Sequence, residues 1–292
     1  MSDFDRVSRY LGSEAMAQLA HKTVAVIGLG SGGGFAALTL AMSGVGGFIL
    51  IDPDIVEAKN AVRHVADLRD VGRPKVEAVA DLIRARNPNA RIQTITGKFE
   101  DHADALQGVD LVVSGVDAER PKYVINEHAR ALGLTAVYAG VYERGEGGDV
   151  AIIHPTGPGA CYACWALQLR EGVIDQGTGE TALDYGQIGA DGTLAAEPSL
   201  WLHVVRVAAA QADLALNELL IGTPAYREMP GNTVILANVE MEIFADRKTR
   251  PYSAEWITIA RDPTCLVCGT NPEPDILSLE NLLGNEQGND LR

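Results

Sequence analysis

The sequence predicts an α/β protein: a Rossmann-like, doubly wound, mainly parallel sheet with an added antiparallel portion and a structural four-cysteine site. Three observations predict this. Apolar runs of strand length alternate with helix-length segments over residues 23–139, the pattern of parallel strands joined by right-handed helical crossovers. The first apolar run, Thr23-Val24-Ala25-Val26-Ile27, ends in a glycine-rich turn, Gly28-Leu29-Gly30-Ser31-Gly32-Gly33-Gly34. Two Cys-x-x-Cys pairs, Cys161/Cys164 and Cys265/Cys268, lie beyond the alternating region.

The elements follow in order. Residues 1–22 read as a helical entry segment with Arg6 and Arg9 on one side. A strand, the turn and a small-residue helix (Phe35 to Met42) occupy about 23–45, and a second strand occupies 47–51. Pro74 stands near the start of a helix from Lys75 that ends at Asn87-Pro88-Asn89, because proline suits the first turn and breaks an interior. A strand at 91–95, a short helix at 100–107, a buried central strand at 109–113, a helix at 119–132 and a strand at 135–139 complete the alternation. Asp149-Val150-Ala151-Ile152-Ile153 then reads as an antiparallel strand. Residues 171–195 read as a long loop of functional kind. Residues 196–221 read as an apolar helix for the core or a dimer interface, and short strands are expected near 233–245 and 255–260. Residues 271–292 form an acidic tail with a small apolar island at Ile276, Leu277, Leu279, Leu282 and Leu283.

The glycine turn has a chemical reading. Gly28 permits the tight turn, Gly30 lets backbone approach a phosphate, and Gly33 lets the helix pack on the sheet. The helix that opens near Ser31 aims free N–H groups and its positive end at an anion. Asp52 ends the second strand, where an acid accepts hydrogen bonds from ribose hydroxyls. Asn60, Arg63 and Lys75 follow. A dinucleotide site needs no such cations, so the cluster points to a triphosphate.

Composition sets bounds. The chain has 292 residues, 47% of them hydrophobic, enough for one large α/β domain. A net charge of −15 disfavours nucleic acid as a partner; it also serves simple solubility. No apolar run reaches the roughly 18 residues of a membrane span, and Met1-Ser2-Asp3-Phe4-Asp5 lacks an apolar signal region, so no membrane association and a cytoplasmic location are expected. Each Cys-x-x-Cys places two thiolates on one metal, and two such pairs complete a tetrahedral Zn²⁺ site of structural kind. A redox disulfide needs only one pair, and structural disulfides suit an oxidising compartment that nothing else supports. With all four cysteines so used, none is left as a nucleophile.

These residues together resemble the ThiF/MoeB class of adenylyltransferases, relatives of ubiquitin-activating enzymes. The resemblance covers roughly 5–270 and rests on Arg6-x-x-Arg9, the turn from Gly28, Asp52-Pro53-Asp54-Ile55-Val56, Asn60-Ala61-Val62-Arg63, Val71-Gly72-Arg73-Pro74-Lys75, Asp117 and the two cysteine pairs. It implies ATP-dependent adenylation of the C-terminal carboxylate of a ubiquitin-like or sulfur-carrier protein ending in Gly-Gly. It implies ribose binding by Asp52 and a homodimer in which Arg9 reaches the partner's ATP. It also implies one adenylation domain over 1–270, with a nucleotide half to about 140 and a cargo and zinc half from about 141. Because adenylation joins two anions, Arg63 and Lys75 are expected to neutralise phosphate and Asn60 to donate to it, while Asp117 at a strand's carboxyl end holds Mg²⁺.

Other readings stand beside these. Arg63 and Lys75 also suit solvated helix charges, Asp117 a cap for the helix near Glu119, Arg9 a surface charge and Asn60 a turn. Ala61, His64 and Ala118 depart from the Leu, Gln and Asn common in the family. With no spare cysteine, the resemblance is to members that stop at the acyl-adenylate; a sulfur donor or conjugating enzyme would act downstream. Adenylation of a ribosomal peptide or other small carboxylate, an inactive scaffold beside a catalytic homologue, and an NAD-dependent oxidoreductase are the competing functions.

Overall fold

The computed structural model describes residues 4–173, 199–244 and 247–270. Two short helices, α1 (Asp5–Leu11) and α2 (Ser13–His21), replace the single expected entry segment. Gly12 separates them with a φ of 87°, a value that interrupts a helix and suits glycine. Then come β1 (Thr23–Ile27), α3 (Gly33–Met42), β2 (Gly47–Ile51), α4 (Lys75–Arg86), β3 (Arg91–Ile95), β4 (Leu111–Ser114), α5 (Glu119–Ala131) and β5 (Thr135–Val141). The remainder is β6 (Gly147–Ile153), α6 (Tyr162–Val173), α7 (Trp201–Leu219), β7 (Thr233–Ala237), β8 (Glu242–Phe244), β9 (Arg247–Lys248) and β10 (Ala254–Ile257).

Eight strands form one sheet in the order β10-β7-β6-β5-β4-β1-β2-β3. β3, β2, β1, β4 and β5 pair in parallel, and β6, β7 and β10 extend the sheet in antiparallel fashion. The order reverses between β1 and β4, so the carboxyl ends of β1, β2 and β4 open at one crevice, the usual ligand position of such sheets. One apolar layer, with Val24, Val26, Leu40, Val79 and Leu214, packs α3, α4 and α7 on one face. A second, with Ile27, Val112, Ile125, Tyr138 and Trp165, packs α5 and α6 on the other. Among the described residues, no helix is long and apolar enough to cross a membrane.

Three local expectations change. The helix expected at 100–107 is two 3₁₀ turns, Phe99–Asp101 and Ala103–Leu106. β4 begins at Leu111 rather than 109, because Asp110 is already engaged: its carboxylate accepts from the Thr23 N–H at 2.8 Å and from Lys22 Nζ at 2.9 Å. Helix α6 was not legible in the sequence. Its start depends on a distant partner, for the Tyr162 N–H donates to Asn126 Oδ1 of α5 at 2.9 Å, a cap that no local motif announces. Residues 174–195 of the expected loop and the 271–292 tail lie outside the described residues. The apolar helix proves to be a core element: α7 buries Val207, Ala208, Ala212, Leu214 and Ala215 against α3 and the sheet.

Candidate functional site

Backbone contact shapes the glycine turn. Gly28 has a φ of 84°, the left-handed region where side chains are strained. A Cβ on Gly33 would lie 1.9 Å from the Gly28 carbonyl oxygen, so only glycine lets α3 close on the turn. Gly115, just past β4, shares this contact: its Cβ would come within 2.4 Å of the same oxygen. The segment carrying Asp117 is thereby fixed two residues from the turn. A Cβ on Gly30 would meet no protein atom within 4 Å, which leaves that backbone approachable.

Asp52 ties the turn to the end of β2. It is buried, and its Oδ2 accepts from the Leu29 N–H at 2.6 Å while Oδ1 accepts from the Asp54 N–H at 2.8 Å. Each oxygen retains a second lone pair for a hydroxyl. Burial raises its pKa above the ordinary carboxylate value, and the Leu29 hydrogen bond and Lys75 charge pull the other way. Lys75 is also buried, with Nζ 2.7 Å from Asp54 Oδ2 and 3.8 Å from Asp52 Oδ1. It is the first residue of α4. A cation there opposes the helix dipole, and such a breach of a local rule marks functional sites more often than ordinary ones.

Between β2 and α4 the chain makes an excursion closed at its neck by backbone hydrogen bonds from Gly72 to Val56, Val56 to Arg73 and Lys75 to Asp54. Asn60 and Arg63 lie on it. The Asn60 Oδ1 accepts from the Glu57 N–H at 3.0 Å; its NH₂ group is the end that can serve an anion. Arg63 is half-buried and has no ion-pair partner among the described residues. Buried His64 reports how close the cations lie, since burial and then the charges of Lys75 and Arg63 push its pKa down to about 4. Its ring is neutral at physiological pH.

Asp117 is exposed beyond the carboxyl end of β4. Ala118, not Asp117, occupies the cap position of α5, and no side chain caps that helix, so the capping alternative is not what fixes this residue. Arg9 is exposed on α1 and paired with Asp5 at 2.7 Å.

The four cysteines converge. Cys161 and Cys164 stand at the start of α6, and Cys265 and Cys268 follow β10. Their sulfurs all lie within 4.8 Å of one another, with Cys161–Cys265, Cys161–Cys164 and Cys164–Cys268 separations of 3.8, 3.9 and 3.6 Å. These are far beyond a disulfide bond. They match the edge of about 3.8 Å that a tetrahedron with metal–sulfur bonds of about 2.3 Å requires.

Sequence reasoning named the members of the strand-end cluster but not Asp54 as the partner of Lys75, nor Gly115 as the contact of Gly28, nor the burial of the charged side chains Lys122 and Asp149. Asp149 carried a signal: it is a lone acid in an apolar strand.

The architecture defines a Rossmann-like, mainly parallel α/β protein with a charged crevice at the strand ends. The chain belongs to the ThiF family, whose pattern matches residues 4–253. It is 29% identical over 283 residues, covering 92% of both chains, to the sulfur carrier protein adenylyltransferase of Thermus thermophilus. It is 32% identical over 171 residues to the SAMP-activating enzyme E1 of Haloferax volcanii, and 35% identical over 161 residues to ubiquitin-like modifier-activating enzyme 5 of Culex quinquefasciatus. These matches span 62% and 40% of those relatives and 56% and 50% of this chain. In fold the chain is similar to a crystal structure of Escherichia coli MccB with ATP, at a TM-score of 0.64 and 21% identity over 91% of this chain and 75% of that one.

Proposed function

We propose that the protein adenylates the C-terminal carboxylate of a ubiquitin-like or sulfur-carrier protein ending in Gly-Gly. The observation that carries this reading is the buried Lys75 set against Asp52 and Asp54 at the glycine turn. A nicotinamide site has no use for that cation, and a phosphate chain does. The near-full-length similarity to a sulfur carrier protein adenylyltransferase favours a protein cargo. Peptide adenylation is the second reading, and the fold similarity to MccB keeps it in view.

The cargo carboxylate attacks the α-phosphate of ATP; the bond to the β-phosphate oxygen breaks, and pyrophosphate leaves with its electron pair. No proton moves in this step. Arg63 and Lys75 neutralise phosphate charge as it shifts to the leaving group, Asn60 donates a neutral hydrogen bond, and Gly30 and Gly33 present backbone N–H groups, the Gly28 N–H being engaged by the Ile51 carbonyl. Asp52 accepts from the ribose. Asp117 would hold Mg²⁺, which screens phosphate charge when bound. The extended Gly-Gly tail crosses the segment Ala139–Arg144. The four cysteines would hold Zn²⁺ in a closed structural site, so the acyl group leaves as the adenylate without a thioester on this chain. We place the whole in one adenylation domain over 1–270, acting in the cytoplasm and followed by a sulfur donor or conjugating enzyme.

Calorimetric titration tests the nucleotide assignment. ATP with Mg²⁺ is expected to bind far more tightly than NAD; preferential binding of NAD rejects adenylation. In a homodimer, Arg9 would act on the partner's ATP. Subunits carrying Arg9→Ala and Lys75→Ala, each inactive alone, are then expected to regain one working site when mixed. Absence of recovery in folded mixed dimers rejects that shared site.

A further inference from the structure

Three charged groups are wired together at the end of β2. Asp54 holds Lys75 twice: its carbonyl oxygen accepts from the Lys75 backbone N–H at 3.0 Å, and its Oδ2 takes the Lys75 ammonium at 2.7 Å. Its own N–H donates to Asp52 Oδ1 at 2.8 Å, while Asp52 Oδ2 accepts from Leu29 of the glycine turn at 2.6 Å. The neck of the excursion clamps this arrangement from outside, since Ile55 bridges Pro74 and the Val56 N–H donates to the Arg73 carbonyl. The turn, the end of β2 and the start of α4 therefore meet at Asp54.

The pairing is lopsided. The Asp54 side chain is 63% exposed, whereas those of Lys75 and Asp52 are 11% and 5% exposed. An ion pair with one partner in solvent adds little to stability, so a purely structural purpose explains it poorly. Its effect on the neighbouring acid is larger. Lys75 Nζ stands 3.8 Å from Asp52 Oδ1, about 1 Å beyond a charge-assisted hydrogen bond. Without Asp54 the ammonium would close that gap, because a buried cation needs an anion. Asp52 Oδ1 already accepts from the Asp54 N–H, and a bond from Lys75 would use its remaining lone pair. That oxygen would then have nothing left for a ribose hydroxyl. The two pairs also differ in the cost of breaking them. Asp54 regains water when the ammonium leaves, and buried Asp52 does not. A phosphate therefore takes Lys75 from Asp54 more easily than from Asp52.

We propose that Asp54 is the positioning residue of the nucleotide site: it draws the Lys75 ammonium off Asp52, keeps that acid open to ribose, and yields the cation to phosphate. This rests on the adenylation reading and deepens it, because one exposed acid then keeps the ribose-binding and phosphate-binding charges apart. No contact between Asp54 and the nucleotide is needed. The consequence is a discrimination rather than an affinity. Removing the Asp54 charge reduces repulsion of any nucleotide's phosphates, so ATP affinity alone does not read this role. The preference for ATP over an analogue that lacks both ribose hydroxyls does read it.

The test is calorimetric titration of the full chain, with Mg²⁺ present, against ATP and 2′,3′-dideoxy-ATP. The wild type is expected to prefer ATP by about tenfold or more, the scale of hydrogen bonds to a charged acceptor. Asp54→Asn, isosteric at an exposed position, is expected to lower that preference to about twofold, and Asp54→Glu to retain most of it. Lys75→Met removes the cation that would seal Asp52, and is expected to weaken both nucleotides while keeping the preference. The double variant Asp54→Asn/Lys75→Met is expected to regain the preference that Asp54→Asn loses. The proposal is overturned if Asp54→Asn discriminates like the wild type, as it would if Asp54 served structure alone. It is overturned equally if the double variant discriminates no better than Asp54→Asn, or if the wild type binds both nucleotides alike. Should the double variant not fold, the Asp54→Asn preference decides. Failure of the wild type to bind ATP overturns the adenylation reading instead.

Discussion

Asp117→Ala is expected to abolish exchange of labelled pyrophosphate into ATP while leaving the thermal unfolding midpoint unchanged. The two halves of this result have separate physical grounds. Asp117 is exposed, and Ala118 rather than Asp117 holds the cap position of α5. Replacing an exposed side chain that caps nothing costs stability within about 0.5 kcal/mol. Its place beyond β4 is nonetheless fixed, because Gly115 packs on Gly28 and Gly33. A carboxylate held at the strand ends and free of structural work is suited to a metal bound to phosphate. Losing the groups that stabilise charge at such a site costs about 10²- to 10³-fold in rate each, and loss of the whole metal should exceed that. Exchange measured with a Gly-Gly-tailed carrier from the same genome reads the reaction directly. Undiminished exchange in the variant would reject the metal-anchoring role.

Cys265→Ser is expected to lower stability by about 4 kcal/mol, a shift of roughly 10 °C in the unfolding midpoint. Cys161 and Cys265 are 104 residues apart in sequence and 3.8 Å apart in space. A metal bridge between them constrains the unfolded chain as a covalent cross-link over a loop of about 100 residues does. The knot joins α6 to the segment after β10, where the Ala160 N–H also donates to the Ile259 carbonyl and the Arg261 N–H to that of Pro158. Nucleotide affinity per folded molecule should change little, because the charged cluster lies at the ends of β1, β2 and β4. About one zinc per chain is expected in reduced wild-type protein by elemental analysis. Metal-free protein of unchanged stability would reject the site.

Much of this was determined by the sequence alone. β1, the glycine turn, β2 and the start of α4 fell where local signals placed them, because turn glycines, apolar runs and Pro74 act on their own neighbours. The parallel order followed from alternation. The cysteine pairs announced a four-thiolate cluster by spacing. Residues whose meaning lies in a partner far along the chain were decided by the tertiary structure. Helix α6 begins where Asn126 caps it. Asp54 matters because it pairs with Lys75, and Gly115 because it meets Gly28. Lys122 and Asp149 look like a helix charge and a stray acid until α5 and β6 bury them. The physical reason is one of range: backbone propensity is set within a few residues, whereas burial, and the electrostatics it amplifies, exist only once distant segments have excluded water from between them.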